Sequence, residues 1–297
     1  MLEQELAKYP IPEDIKKQLM SGHTNTHGDF RESIGQPSYT APDPTLVSDA
    51  LIALSLGKNI LLKGPTGAGK TKLAELLSYL FNQPMASINC SVDLDAEALL
   101  GYKTLEYDDN NQPHITFVPG PVETAMQQGH FLYIDEINMA KAETLPILNG
   151  VLDYRRRILN PFTGKSIKAK ENFGVIAAIN EGYIGTTPLN EALKNRFVVI
   201  DVPYLQGEAL YELLKKQSLL NDDILLKGFV TLSRDLLSKV QEGQIAEEGG
   251  SIRSLLDACD LAASIPPLRA IKRAIIDKLE DEREKTAILD IAETIFK

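Results

Sequence analysis

The 297-residue sequence predicts an α/β chain: a mostly parallel sheet of five strands covered by helices on both faces, then a smaller all-helical domain. Three observations predict it. Short apolar runs at residues 59–62, 84–89, 131–134, 173–179 and 198–202 alternate with stretches of helical periodicity, the pattern of strands buried on both faces by crossover helices. Polar residues able to do chemistry stand where those runs end, the place where open α/β sheets build their sites. From Gln206 onward the strand-like runs stop, and leucine-rich helical stretches follow at 207–219, 222–240, 251–263 and, with breaks, 267–296. The chain therefore divides into an N-terminal extension (1–40), an α/β core (41–205) and a helical domain (206–297).

Residues 1–40 are polar and broken by Pro10, Pro12, Gly22, Gly28, Gly35 and Pro37, with one short helix expected at 13–20. His23 and His27 are four apart, a spacing two metal ligands use on a helix. Thr24, Asn25, Thr26 and Gly28 make this a loop, however, and no carboxylate or Cys is suitably placed. Residues 42–44 lead into an apolar helix at 46–56, which Gly57 ends.

The first strand runs into Gly64-Pro65-Thr66-Gly67-Ala68-Gly69-Lys70-Thr71, a full match to the phosphate-binding loop G-x-x-x-x-G-K-[ST]. A helix is expected at 70–81, with Leu73, Leu76, Leu77 and Leu80 on one face. Glycines let the loop's N–H groups turn inward, and the helix N-terminus adds partial positive charge. Lys70 is placed to reach the β- and γ-phosphates of a nucleotide, and the Thr71 hydroxyl to hold Mg²⁺.

A second strand at 84–89 and a helix at 93–100 follow. Residues 101–121 read as an inserted β-hairpin, with Tyr102, Thr104, Phe117 and Val118 flanking a polar turn at 108–111. A helix at 122–128 stops at Gly129. The run Phe131-Leu132-Tyr133-Ile134 then meets Asp135 and Glu136. Alone, such a run is common; about 65 residues after a phosphate loop, it predicts that Asp135 holds Mg²⁺ through its water shell and that Glu136 orients the attacking water.

A helix at 142–154, bent at Pro146, leads to a basic hairpin at 155–170 that carries Arg155, Arg156 and Arg157. It is either a solvated hairpin or a contact surface for a partner or a neighbouring subunit. The next strand closes on Asn180, which can hydrogen-bond the γ-phosphate or the attacking water. A short helix at 188–197 ends in Asn195-Arg196-Phe197 before the fifth strand. Arg253 falls in the first turn of a helix, where a cation opposes the helix dipole. A ligand anion nearby would explain it; so would a surface salt bridge.

Composition narrows the class. Lys plus Arg is 31 and Asp plus Glu is 41, a formal net charge of −10, unfavourable for general binding of nucleic acid or anionic membrane. Cys90 and Cys259 fit no metal or redox spacing and read as reduced thiols of a cytoplasmic protein. No signal peptide and no apolar run approaching 18 residues is present, so neither export nor membrane insertion is expected.

Together these residues resemble an AAA+ ATPase, more narrowly the MoxR-type branch and its CbbQ/NirQ/NorQ group, near the GvpN proteins. The resemblance covers roughly residues 35–265. It implies a P-loop NTPase three-layer αβα core with a helical lid. Residues 64–71 match Walker A, Asp135 and Glu136 match Walker B, and Asn180 matches sensor 1. Arg196 matches the arginine finger offered to a neighbour's nucleotide, and Arg253 matches sensor 2. The 102–117 hairpin matches the helix-2 insert and 155–169 the pre-sensor hairpin. Glu136-Ile137-Asn138 and Phe117-x-x-Gly120-Pro121 also match this branch. One departure is Glu181-Gly182-Tyr183 after sensor 1, where many relatives have Pro directly after the Asn. The resemblance implies ATP and Mg²⁺ as cofactors and a homo-oligomeric, hexameric ring. It further implies a protein client, typically a metalloenzyme or a complex containing a von Willebrand factor A domain partner. The rivals are a nucleic-acid motor or loader on the same core, which the net charge opposes and the basic hairpin favours, a small-molecule kinase, and a nucleotide switch without turnover.

Overall fold

The computed structural model describes residues 2–24, 26–90, 94–108, 111–141, 143–180 and 189–296. The N-terminal part holds α1 (Leu2–Leu6), α2 (Glu13–Gly22) and α3 (Pro44–Ser55), then β1 (Asn59–Gly64), α4 (Lys70–Phe81) and β2 (Met85–Asn89). Next come α5 (Ala96–Leu100), the hairpin β3 (Gly101–Tyr107) and β4 (Pro113–Pro119), α6 (Pro121–Gln128), β5 (Phe131–Asp135) and α7 (Leu145–Leu152). A second hairpin, β6 (Arg157–Leu159) and β7 (Ser166–Lys168), precedes β8 (Gly174–Asn180), α8 (Glu191–Lys194) and β9 (Phe197–Asp201). Five helices finish the chain: α9 (Gly207–Gln217), α10 (Asp223–Gln241), α11 (Ile252–Ala262), α12 (Pro267–Ala274) and α13 (Glu282–Ile295).

Five strands form one parallel sheet in the order β2-β5-β8-β1-β9. Successive side chains of a strand point to opposite faces, and here both faces are apolar. Ile60 and Leu62, Phe131 and Tyr133, Ile176 and Ala178 pack in a layer with α3 and α4. The intervening Leu61, Leu132, Ile134, Val175 and Ala177 pack on the other side with α5, α6 and α7. This is the three-layer αβα arrangement, and it explains why the strands read as unbroken apolar runs rather than as alternating ones.

The helical domain has its own core. Leu226, Phe229, Leu232 and Leu236 of α10 recur every three or four residues and are buried against Leu255, Ala258, Cys259 and Ala262 of α11. Burying each large side chain contributes roughly 1.5–3 kcal/mol. Asp222 caps α10, its carboxylate accepting from Ile224 N at 2.8 Å and Leu225 N at 3.1 Å.

Several elements differ from the expectation. The first 22 residues form two helices rather than one, and Leu6, Tyr9, Ile11, Ile15 and Leu19 are buried in the same layer as α3 and α4. The helix expected at 142–154 begins at Leu145, so Pro146 occupies its first turn, where the missing N–H leaves nothing unpaired, and bends nothing. The helix expected at 93–100 begins at Ala96, because the Asp95 carboxylate accepts from Ala98 N at 2.8 Å and caps it there. The one expected at 188–197 is a single turn, Glu191–Lys194, capped by Asn190; Phe197 already belongs to β9. Glu181, Gly182 and Tyr183 lie outside the described residues.

Candidate functional site

Three adjacent strands, β1, β8 and β5, end at one edge of the sheet, with Gly64 level with Asn180. Beyond that edge is a cleft of about 500 Å³ lined by the phosphate loop, Asp135, Glu136, Asn180 and Arg253. The parallel sheet thus gathers residues from three separate motifs into one place, and α11 of the helical domain adds Arg253 as a fourth.

The loop folds as its glycines require. Gly67 has φ +81°, a backbone region that L side chains rarely adopt, and a Cβ there would stand 2.5 Å from Ser251 Oγ of the helical domain. Ala68 N donates to Pro65 O at 3.3 Å, and Tyr204 OH donates to Thr66 O at 2.9 Å. Lys70 opens α4 and is buried, with Nζ donating to Gly64 O and Pro65 O, both at 2.8 Å. The ammonium is therefore held inside the loop by two of its own carbonyls.

Thr71 Oγ1 lies 3.1 Å from Tyr133 OH. Tyr133 was legible only as an apolar member of its strand; its hydroxyl, two residues before Asp135, is a site group that the sequence analysis missed. Burial, and then the neighbouring Asp135 charge, hold the phenol well above its ordinary range, so it stays protonated. Asn89, at the end of β2 and level with Asp135, also lines the cleft and was missed. Nothing but its place at a strand end marked it. Thr71 and Asp135 present hard oxygen donors, the donor set that suits Mg²⁺.

Asp135 Oδ1 accepts from Glu136 N at 3.0 Å, and the Asp135 carbonyl accepts from Cys90 N at 3.0 Å. The Cys90 thiol is pushed up to about 12, first by burial and then by the charges of Asp135 and Glu136, so it carries no thiolate chemistry. Glu136 has φ 52°, left-handed for a residue with a Cβ, a conformation that costs of order 1–3 kcal/mol and clusters at functional sites. Its Oε1 accepts from Asn180 Nδ2 at 3.1 Å. The candidate water-orienting carboxylate and the candidate phosphate sensor are thus in direct contact.

Arg253, the second residue of α11, lines the cleft, and among the described residues no carboxylate pairs with it. Arg196 is elsewhere. It lines a separate hollow with Asn59, Asp153, Tyr154 and Arg156, and its guanidinium donates to Ala192 O. Asn59 Nδ2, at the start of β1, donates to both Leu152 O at 3.0 Å and Arg196 O at 3.2 Å, fixing that backbone to the strand that leads into the loop. His23 and His27, considered as metal ligands, are engaged otherwise: His23 Nε2 meets Leu80 O at 3.2 Å, and His27 packs edge-on to His130. Among the described residues no helix is long and apolar enough to cross a membrane.

A family model of the AAA domain, dynein-related subfamily, matches residues 59–197. The sequence is 60% identical over 294 residues to the uncharacterized protein YojN of Bacillus subtilis, covering 99% of this chain and 96% of YojN. It is 59% identical over 259 residues to an uncharacterized protein of Staphylococcus saprophyticus, covering 87% and 98% respectively. Among solved structures, a RuvB variant from Thermotoga maritima aligns with a TM-score of 0.50 at 17% identity, covering 89% of this chain and 70% of that one. At that identity the likeness is one of fold.

Proposed function

The chain belongs to the AAA family of ATPases, and from that premise we propose that it is a Mg²⁺-dependent ATP hydrolase of the MoxR type. In this reading it works as a homo-oligomeric ring that remodels or activates a partner protein. The observation that carries the catalytic part is the contact between Glu136 and Asn180 across a cleft that also holds Lys70, Thr71, Asp135 and Arg253. Lys70 and the loop N–H groups would bind the β- and γ-phosphates. Thr71 and Asp135 would hold Mg²⁺, which neutralises phosphate charge when bound. Asn180 positions the Glu136 carboxylate, and Glu136 orients the attacking water. Arg253 supplies positive charge from the helical domain.

Assembly is supported by the placement of Arg196. It lines a hollow apart from its own cleft, on the side of β9, one of the two outer strands of the sheet. In this reading a second copy docks along that edge with its own cleft facing Arg196. The net charge of −10 favours a protein client over nucleic acid; that the client is a metalloenzyme or a complex containing a von Willebrand factor A domain is what the MoxR-type resemblance implies. The basic hairpin adds little to the nucleic-acid reading, because Arg156 is already bonded to protein carbonyls.

The test of the catalytic reading is a pair of variants. Glu136→Gln is expected to bind ATP as tightly as the native chain and to lose nearly all turnover. Lys70→Ala is expected to lose binding itself. Nucleotide titration and phosphate release measure the two properties separately; native turnover in Glu136→Gln would refute the assignment.

A further inference from the structure

Asn59 opens β1 and is 6% exposed. Three other parts of the chain meet on its amide. Nδ2 donates to Leu152 O, at the end of α7, at 3.0 Å and to Arg196 O at 3.2 Å. Oδ1 accepts from Arg156 Nη2 at 3.3 Å, and that guanidinium also donates to Gly57 O at 2.8 Å and packs over the Phe173 ring. These contacts fix which way the amide faces. Turned over, it would set its N–H groups against a cation and its oxygen against two carbonyls.

Arg196 is carried by a short element. α8 is one turn long and buries Leu193, and the Arg196 guanidinium donates back to Ala192 O of that turn, so the two move together. Arg196 stands one residue ahead of β9, before the first register pair of β1 with β9, which is Asn59 with Phe197. The strand ladder therefore begins just after Arg196, and the Asn59 amide ties the Arg196 carbonyl to β1 in its place. The phosphate loop is at the other end of the same strand. Asn59 and Gly64 are five residues apart, roughly 16 Å at a strand rise of about 3.3 Å per residue. The amide thus anchors Arg196 to a rigid strand, at the end away from its own subunit's loop.

We propose that Asn59 is a positioning residue for Arg196: its amide sets the place from which the guanidinium reaches a neighbouring subunit's nucleotide. The proposal rests on the reading of Arg196 as serving a neighbour. The experiment measures ATP affinity and turnover of full chains, alone and in mixtures that exchange subunits. Asn59→Ala, and Asn59→Leu, which is closer in size to the native residue, are each expected to bind ATP with native affinity. Each is expected to lose turnover on the order of 10²-fold, the cost of a misplaced group. Mixed with the Lys70→Ala chain, each is expected to regain turnover, because an intact loop then meets a well-placed arginine. Mixed with Arg196→Ala, neither is expected to regain it, because no interface then has such an arginine. Native turnover in both variants would overturn the proposal, as would mixtures with Lys70→Ala that stay inactive. Recovery with Arg196→Ala would also overturn it, by placing the defect in the loop at the far end of β1. Loss of folding in both variants would do the same, by making the amide a brace for the fold. If Arg196→Ala and Lys70→Ala together stay inactive, it is the reading of Arg196 that fails, a result distinct from all of these.

Discussion

His130, one residue before β5, is buried, with the Phe30 ring edge-on at 4.7 Å and the His27 ring at 6.4 Å. Burial first, and then the neighbouring His27 and Lys170, push its pKa down to about 4 from an ordinary 6.5. The unfolded chain therefore binds this proton more readily than the folded one between those values. The contribution of neutral His130 to stability is complete above about pH 6.5 and is lost as the pH falls towards 4. In urea unfolding, His130→Phe is expected to show a shallower fall in midpoint across that window than the native chain; an identical slope would refute it. Arg156 shows what a residue type leaves unsaid. Three successive arginines read as one basic surface, yet Arg155 pairs with Asp153 at 2.8 Å, while Arg156 packs over the Phe173 ring and donates to Phe173 O and, at 2.8 Å, to Gly57 O. Those acceptors come from other elements, so no local pattern could announce them. The residues of the phosphate loop, Asp135, Glu136 and Asn180 were legible because their chemistry demands residue types at strand ends; Tyr133 and Asn89 were not, because a phenol or an amide at those places has many ordinary uses.

Among the elements, the β3–β4 hairpin stands out. Leu105 pairs with Ile115 and Tyr107 with Pro113 on one face of a two-stranded ribbon, and Leu105, Tyr107 and Ile115 are 56, 62 and 71% exposed. The exposed Tyr102 is on the other face. An uncovered apolar face of this kind marks a contact surface, and aromatics beside polar groups suit protein better than a phosphate backbone. If the proposed protein client engages this hairpin, replacing residues 107–112 with a short Gly-Ser turn is expected to leave the melting midpoint and basal ATP turnover near native and to abolish stimulation of turnover by that client. Full stimulation in the shortened chain would sink the idea, and a chain that no longer folds would make the hairpin structural. The hairpin was legible from its polar turn and flanking aromatics. Element boundaries were less so: Asp95 and Asn190 start their helices later than periodicity implied, because a capping carboxylate or amide fixes an end that hydrophobic spacing leaves vague.

For the whole molecule, alternation of runs and helices disclosed a parallel sheet, but not its order, which depends on which strands meet across long stretches of chain. That order puts β9 at the outside and Arg196 beside it. If Arg196 serves a neighbour's nucleotide, Arg196→Ala is expected to lose on the order of 10³-fold or more in turnover. Mixed with the Lys70→Ala chain it is expected to regain activity, since some interfaces then pair an intact loop with an intact arginine. Mixtures that exchange subunits and stay inactive would place Arg196 in its own subunit. The same strand order governs how the chain is made. β1 is flanked by β8 and β9, and Ile60 pairs with Ile176 and Val198, both more than a hundred residues downstream. At ordinary synthesis rates the finished β1 waits on the order of ten seconds for its neighbours. During that wait Ile60, Leu61 and Leu62 have no sheet to enter, and each new copy of the chain briefly carries an unpaired apolar strand.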